Sequence, residues 1–232
     1  MNQLEAIIHP IAHIETPFHS KFGVPRQSGI ITSVESLIVF EPEYRIAEAV
    51  RGIEEFDYLW LIWQFSEAVR NDWSPTVRPP RLGGNQRVGV FATRSPFRPN
   101  NLGLSSVQLT KIEQTSRGMV LHVLGADLMN GTPIFDIKPY LPYTDSHPQA
   151  RSGFAPTAAN HLLEVVWNDS ARQMLAAELI ETITDVLAHD PRPQYQHDPE
   201  RVYGFCFADY EIRFKVDDGN KLEVLRVDPI GQ

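Results

Sequence analysis

Through the first half of the chain, apolar residues fall in short runs separated by turn residues, the pattern of strands and loops. Ala6 to Glu15 reads as a broken apolar strand ending at Thr16-Pro17, and Gly29 to Phe40 as a strand by its β-branched content. Pro42 to Val50, with Ala47 and Ala49, predicts a short helix. Tyr58 to Phe65 (YLWLIWQF) is apolar on both faces, which predicts a central, fully buried strand or a short buried segment. Further strands are expected at Val88 to Ala92, Ser105 to Lys111 (Val107 and Leu109 on one face), Gly118 to Leu124 and Ile134 to Ile137, with a hairpin turn over Gln114 to Gly118.

The pattern changes after residues 145 to 160 (DSHPQARSGFAPTAAN), whose composition is that of a linker. A strand is expected from His161 to Trp167. Asn168 or Asp169 can accept hydrogen bonds from first-turn amides, and so caps a helix running to about Ala188. Its apolar stripe is Leu175, Leu179, Ile183, Val186 and Leu187, and Pro191 and Pro193 end it. Tyr210, Ile212, Phe214 and Val216 then alternate with Glu211, Arg213 and Lys215. Asp218-Gly219 offers a tight turn, and Leu222 and Val224 begin a return strand. The expected fold is therefore α+β and mainly β, with a small C-terminal α+β unit.

Charge alters this picture. The 232 residues carry a net −8, which by itself argues against a nucleic-acid partner. Yet no Asp or Glu lies between Trp73 and Ile112, while Arg78, Arg81, Arg87, Arg94, Arg98 and Lys111 all do. A basic island in an acidic protein points to a local anionic ligand; the plainer alternative is arginines gathered in one loop by chance. Pro75, Pro79, Pro80, Pro96 and Pro99 lie in the same stretch, interrupted by Gly83-Gly84. Proline fixes φ and donates no amide hydrogen, so this is a stiff, irregular loop of the kind that carries function. The single cysteine, Cys206, excludes an internal disulfide and fits a reducing compartment. Met1 to His13 has no basic flank followed by a long apolar run, so no signal peptide is expected, and no apolar stretch approaches the ~20 residues of a membrane span. A cytoplasmic protein with no membrane partner is the expectation.

Several familiar chemistries are missing. There is no Gly-x-Gly-x-x-Gly and no Walker loop, which argues against a Rossmann-type nucleotide site. The eight histidines have no metal spacing: His9 and His13 are separated by Pro10 in a predicted strand, so no metal is expected. No Gly-x-Ser-x-Gly elbow occurs. Three segments are nonetheless more polar than packing requires: Val24-Pro25-Arg26-Gln27, Thr76 to Ser105, and Asp127 to Tyr143. In the second, Arg94 and Arg98 bracket Pro96, a stiffened loop able to hold two forked donors for carboxylate or phosphate. In the third, Asp127 and Asn130 beside Gly131 could read a ribose or an amino group. Each could instead be a turn whose polar residues cap its own backbone.

At these residues the chain resembles the TsaA-like, or TrmO, family of tRNA methyltransferases. The matching stretches are PFHSKFGVPRQ (Pro17 to Gln27), RPPRLGGNQRVGVFATRSPFRPN (Arg78 to Asn100), GLS (Gly103 to Ser105) and DLMNGTPIFDIKPYLPYTDS (Asp127 to Ser146). DPRPQY (Asp190 to Tyr195) and YGFCFADYEIRF (Tyr203 to Phe214) resemble the C-terminal part of longer bacterial members. The resemblance implies methylation of N6 of threonylcarbamoyladenosine, next to the anticodon of tRNA, with S-adenosyl-L-methionine as donor. It implies a coiled, β-barrel-like, non-Rossmann catalytic domain over residues 5–146 and a small C-terminal domain over 160–232. It also implies a homodimer with the cofactor near the subunit interface. Carried over position by position, the cofactor contacts are Pro25, Arg26, Gln27, Ser66, Glu67, Arg94, Leu104, Asp127, Leu128, Met129 and Asn130. Two of these depart from the family pattern: Ser66 stands where relatives often have His, and Asn130 replaces the second acid of DLLDGTP. Both can still accept a hydrogen bond.

Methyl transfer from a sulfonium asks the protein to align the nucleophile and exclude water. The target nitrogen is urea-like, so its proton must be taken; Asp136, Tyr140 and the substrate's own threonyl carboxylate are the candidates. Arg78, Arg81, Arg87 and Arg98 are the candidates for tRNA phosphate or that carboxylate. Two other readings stay open on the same residues: a non-catalytic module that binds S-adenosylmethionine or RNA, and a methyltransferase acting on a small metabolite.

Overall fold

The structure, a computed structural model, describes residues 6–69, 72–155, 162–192 and 198–231, apart from the side chain of Arg81. In chain order its strands and α-helices are β1 (Ala12–Glu15), β2 (Glu35–Phe40), β3 (Tyr58–Gln64), β4 (Thr76–Val77), β5 (Val88–Gly89), β6 (Leu102–Thr115), β7 (Gly118–Leu124), β8 (Pro133–Pro139), α1 (Pro142–Asp145), β9 (Glu164–Trp167), α2 (Asp169–Arg172), α3 (Ala177–Ala188), β10 (Tyr203–Phe207), β11 (Tyr210–Val216) and β12 (Lys221–Pro229). The molecule is mostly β.

Six strands pair in the order β1-β2-β7-β6-β3-β8, and β8 returns to β1 through Ala12↔Ile134 and His13↔Pro133, so the sheet closes into a ring. Every pairing in it is antiparallel. Alternate residues point inward: Ile14, Ile38, Leu59, Leu61, Val107, Leu121 and Ile134 are fully buried there. The β6–β7 hairpin turns through Ser116-Arg117 into Gly118 at φ +88, and Arg117 pairs with Glu15 on β1.

A second sheet has the order β10-β11-β12-β9, with β9 parallel to β12. Ala171, Ile183, Val186 and Leu187 of α2 and α3 share a buried cluster with Phe205, Phe207, Phe214 and Val224. Phe18, Ile31 and Val34, from the segment between β1 and β2, are buried in this same cluster, and Phe22 and Val24 pack against it. The N-terminal third of the chain thus completes the C-terminal core.

Several expected elements are corrected by this arrangement. The strand expected from Gly29 begins only at Glu35, because Ile31 and Val34 spend their side chains on the C-terminal core instead of a ladder. The first strand is limited to Ala12–Glu15; Ile7 and Ile8, before Pro10, are exposed. Pro42 to Val50 forms two 3₁₀ turns, Pro42–Tyr44 and Ala47–Val50, parted by the extended Ile46. The expected strand at Val88 to Ala92 is only β5, followed by a 3₁₀ turn. The helix expected up to Ala188 is broken at Gln173 to Ala176. In a single helix Ala171 and Ile183 would lie about 120° apart around the axis, and the break lets both face the sheet. Finally, β3 is not buried on both faces: Leu59, Leu61 and Trp63 point inward, while Tyr58, Trp60, Ile62 and Gln64 are outward and partly exposed. The expected strand start at His161 and the helix stop at Pro193 lie outside the described residues.

The join between the two sheets rests on a glycine. Gly23 has φ +98, and a Cβ there would sit 2.4 Å from Cδ2 of Phe205. Gly23→Ala is expected to cost about 2–4 kcal/mol, from backbone strain plus overpacking, read as a lower denaturant midpoint. Adding Phe205→Leu should recover part of that loss; a double mutant that is purely additive would remove the steric account.

Candidate functional site

A half-enclosed cleft of about 630 Å³ lies on the outward face of the ring, along β3 and the start of β6. That size suits a small organic ligand or cofactor. Its back wall is Trp60 and Gln64 of β3 and Leu104 of β6, and Trp60 is one of the outward residues that make YLWLIWQF apolar on both faces. Trp60 is fixed by its indole, which donates to Asp145 Oδ2 at 2.8 Å, and the same oxygen accepts the Leu141 amide at 2.9 Å. These two hydrogen bonds hold the Asp145 carboxyl below its ordinary range, so the anchor is anionic. The ring of Trp63 lies over Gly103, where a Cβ would meet the indole at 2.3 Å. Only glycine lets the two pack so closely.

Three polar segments converge on the cleft. Pro25, Arg26 and Gln27 form one side. Arg26 donates to the carbonyls of Asp190 (3.0 Å) and Arg192 (2.8 Å), which ties this side to the C-terminal unit. Arg192 is itself nearly buried and held by Asp190 at 2.8 Å. Arg94, Pro96, Phe97 and Arg98 form the second side, and Arg94 Nη1 donates to Gln27 Oε1, so the first two segments touch. Ser66 and Glu67 complete the rim in a 3₁₀ turn, where Lys21 Nζ donates to the Glu67 carbonyl at 3.0 Å. The loop is braced by Asn101, whose side chain donates to the Pro96 carbonyl and whose carbonyl accepts the Phe65 amide.

Asp127 is the acid of the third segment. Its Oδ1 accepts from Ser105 Oγ at 2.5 Å, and Ser105 Oγ accepts from Trp63 Nε1 at 2.9 Å. Burial pushes the Asp127 carboxyl above the ordinary carboxylate range, against the opposing pull of Ser105, its own amide, Arg94 and the Ser28 amide. An acid that desolvation makes reluctant to ionise is relieved by a cation placed beside it.

Of the expected cofactor residues, the cleft brings together Pro25, Arg26, Gln27, Ser66, Glu67, Arg94, Leu104, Asp127 and Met129. Leu128 alternates away into the ring core at 1% exposure. Asn130 also lies outside the cleft; its Oδ1 accepts the Thr16 amide at 3.1 Å and its own amide donates to Phe18, a structural clasp on the segment leading to Pro25. Of the expected tRNA residues, Arg98 lines the cleft and donates to the Thr93 carbonyl, while Arg78 and Arg87 are exposed on the arm beyond it. The side chain of Arg81 is outside the described set. Neither expected proton acceptor lines the cleft: Asp136 pairs with Lys138 at 2.7 Å, and Tyr140 packs on Tyr58 and Trp60. Sequence reasoning missed Lys21, Trp60, Trp63, Phe97 and Thr132, which also line it. The two-sided apolar pattern of β3 was the available signal for the tryptophans. Among the described residues, no group of three His, Cys, Asp or Glu could hold a metal ion, and no helix is long and apolar enough to cross a membrane.

Comparison with known proteins gives the following. The family model for the tRNA-methyltransferase O N-terminal domain matches residues 13–146, and that for the TrmO C-terminal domain matches residues 160–230. The Escherichia coli (strain K12) protein named tRNA (adenine(37)-N6)-methyltransferase is 40% identical over 227 residues, covering 94% of this chain and 96% of the relative. A Pseudomonas aeruginosa relative, RcsF, whose name describes an S-adenosylmethionine-dependent methyltransferase, is 37% identical over 228 residues, covering 95% and 96%. The crystal structure of TrmO from Pseudomonas aeruginosa superposes with a TM-score of 0.77 at 31% identity, covering 97% of this chain and 100% of that one.

The hydrogen-bond chain at the cleft floor has a measurable consequence. Ser105→Ala removes the donor that lowers the Asp127 pKa and strands a buried Trp63 N–H. The Asp127 carboxyl midpoint, followed by carbon NMR, should move upward, and stability should fall by about 1–3 kcal/mol. An unmoved midpoint would show that Ser105 does not tune this acid.

Proposed function

The chain belongs to the tRNA-methyltransferase O family, and from that premise we propose that it is an S-adenosylmethionine-dependent methyltransferase acting on N6 of threonylcarbamoyladenosine beside the anticodon of tRNA. The observation that carries the reading is the desolvated Asp127 carboxyl on the floor of an aromatic-walled cleft whose rim bears Arg26, Arg94 and Arg98. An anion at the floor and guanidinium groups at the rim complement a ligand with cationic and carboxylate ends.

When bound, S-adenosylmethionine supplies a methyl group already activated on a sulfonium. The residues that would hold it are Pro25, Arg26, Gln27, Ser66, Glu67, Arg94, Leu104, Asp127 and Met129. Asp127 supplies the countercharge to a cationic group. Arg94, oriented by Gln27, presents its fork to a carboxylate. Trp60, Phe97 and Leu104 exclude water from the reacting atoms. Leu128 and Asn130 act from behind, one by core packing and one by holding Thr16. Arg98 is assigned to the threonyl carboxylate of the substrate, and Arg78, Arg81 and Arg87 to tRNA phosphate. With Asp136 and Tyr140 away from the cleft, proton removal from N6 is assigned to the substrate's own threonyl carboxylate.

The remaining parts of the reading go with it. Residues 5–146 form a barrel-like, non-Rossmann catalytic domain, and residues 160–232 a small domain that buttresses its Pro25–Gln27 wall. The active species is a homodimer with the cleft near the subunit interface, for which the exposed Leu104 and Tyr143 supply apolar surface. Its tRNA substrate places it in the cytoplasm, and the chemistry needs no metal.

Incubation with methyl-labelled S-adenosylmethionine and tRNA bearing or lacking the threonylcarbamoyl group should label only the modified tRNA, with the methyl found on the base by nucleoside mass spectrometry. Label in neither tRNA would end the proposal.

Asp127 adds a pH test. Burial raises its proton affinity in the protein alone, and a bound cation favours the ionised form, so donor binding expels a proton. Donor affinity should therefore rise with pH up to the elevated Asp127 pKa and level off above it. By calorimetry, Asp127→Asn should lose that slope and bind about tenfold or more weakly at neutral pH. A slope retained in the variant would assign the proton elsewhere.

A further inference from the structure

The arm that carries the acid-free stretch leaves the cleft as a two-stranded ribbon, β4 paired with β5 through Thr76↔Gly89 and Val77↔Val88. At its base the Val90 amide donates to the Pro75 carbonyl at 3.0 Å. This closure sets Trp73 and Phe91 side by side, their rings 6.1 Å apart and inclined by 27°. Neither is packed away: Trp73 is 50% exposed and Phe91 71%. Solvent-facing aromatics stacked on one another, away from either core, are not explained by the fold of the chain.

Their surroundings favour one kind of occupant. Toward the cleft the chain continues from Phe91 to Arg94 and Arg98, which line it. In the other direction lies Arg87, whose guanidinium donates to Thr76 at 3.1 Å, and Arg78, both exposed. No carboxylate occurs in the sequence from Trp73 to Ile112, although the protein as a whole is acidic. Aromatic faces flanked by guanidinium groups suit unstacked bases on a phosphate backbone. A two-fold contact with a second copy, centred here, would set these arginines against their own counterparts.

We propose that Trp73 and Phe91 form a stacking platform for a single-stranded RNA base next to the nucleotide held in the cleft, with Arg87 and Arg78 on the adjoining phosphates. This rests on the reading that the acceptor is a nucleoside in an RNA loop. A target base can enter the cleft only by leaving its stack, and the platform replaces the stacking its neighbour loses.

The test uses the full-length protein and an anticodon stem-loop carrying threonylcarbamoyladenosine. Trp73→Leu and Phe91→Leu keep apolar bulk and remove the π face. Each should weaken stem-loop binding by about tenfold and raise the RNA KM correspondingly, with kcat at saturating RNA, donor affinity and sedimentation coefficient unchanged. Arg78→Ala and Arg87→Ala should each flatten the salt dependence of RNA binding by about one unit of log–log slope. Unchanged stem-loop affinity in both leucine variants, while the wild type binds and methylates, overturns the platform and leaves the proposed activity standing. Conversion from dimer to monomer by either variant overturns it in favour of a protein–protein contact. A wild type that neither binds nor methylates the stem-loop overturns the platform together with the reading beneath it.

Discussion

The strip of chain from Pro17 to Gln27 serves two structures at once, and the cleft depends on it. Its apolar residues, Phe18, Phe22 and Val24, complete the C-terminal core, while its last residues, Pro25 to Gln27, wall the cleft on the ring. Gly23 lets the backbone lie against Phe205, and Arg26 reaches the carbonyls of Asp190 and Arg192. A loop of this kind, left to itself, would carry the conformational freedom of any surface connection. Anchored on one side by buried aromatics and on the other by hydrogen bonds, it holds its polar end where Arg94 can meet Gln27. Among the described residues the C-terminal unit contributes none to the cleft lining, yet it fixes the wall formed by Pro25 to Gln27.

The floor of the cleft carries a second tension. Asp127 is desolvated and compensated only in part by Ser105, the Ser28 amide and the field of Arg94. An isolated domain with no ligand to bind would gain stability from an apolar residue there. The cost makes sense if the carboxyl is completed by a cationic ligand, because the energy withheld from folding then appears as affinity. Trp63 takes part in the same arrangement: its ring seals the ring core, while its indole N–H reaches Ser105 and thereby steadies the acid.

Much of the fold was legible because period-two alternation is a local property. The hairpin of β6 and β7 and the pair β11–β12 follow from residues that face one core each. Elements that serve two surfaces were misread. Ile31 and Val34 look like strand residues, but their buried side is supplied by helices and strands far along the chain. The outward half of YLWLIWQF looks like core, because the wall of an apolar cleft has core composition. Strand β10 alternates Tyr203, Phe205 and Phe207 with Gly204 and Cys206, a pattern visible in the sequence that the reading passed over. In the site, the polar segments were found by composition, but adjacency was not: Asn130 and Asp127 are three residues apart, and only one of them faces the cleft.

The charge pattern resolves into geometry in the same way. A net charge of −8 would repel a polyanion if it were spread evenly, and it predicts weak non-specific attraction to nucleic acid. A proline-stiffened stretch that carries Arg78, Arg81, Arg87, Arg94 and Arg98 and no carboxylate concentrates attraction locally. Beyond a Debye length of about 8 Å at physiological salt the acidic remainder is largely screened, so local and global charge act on different steps. On the proposed reading, the global charge discourages wrong encounters, and the arm selects the orientation in which a loop nucleotide meets the cleft. Specificity then falls to the few groups inside that can tell one modified base from another.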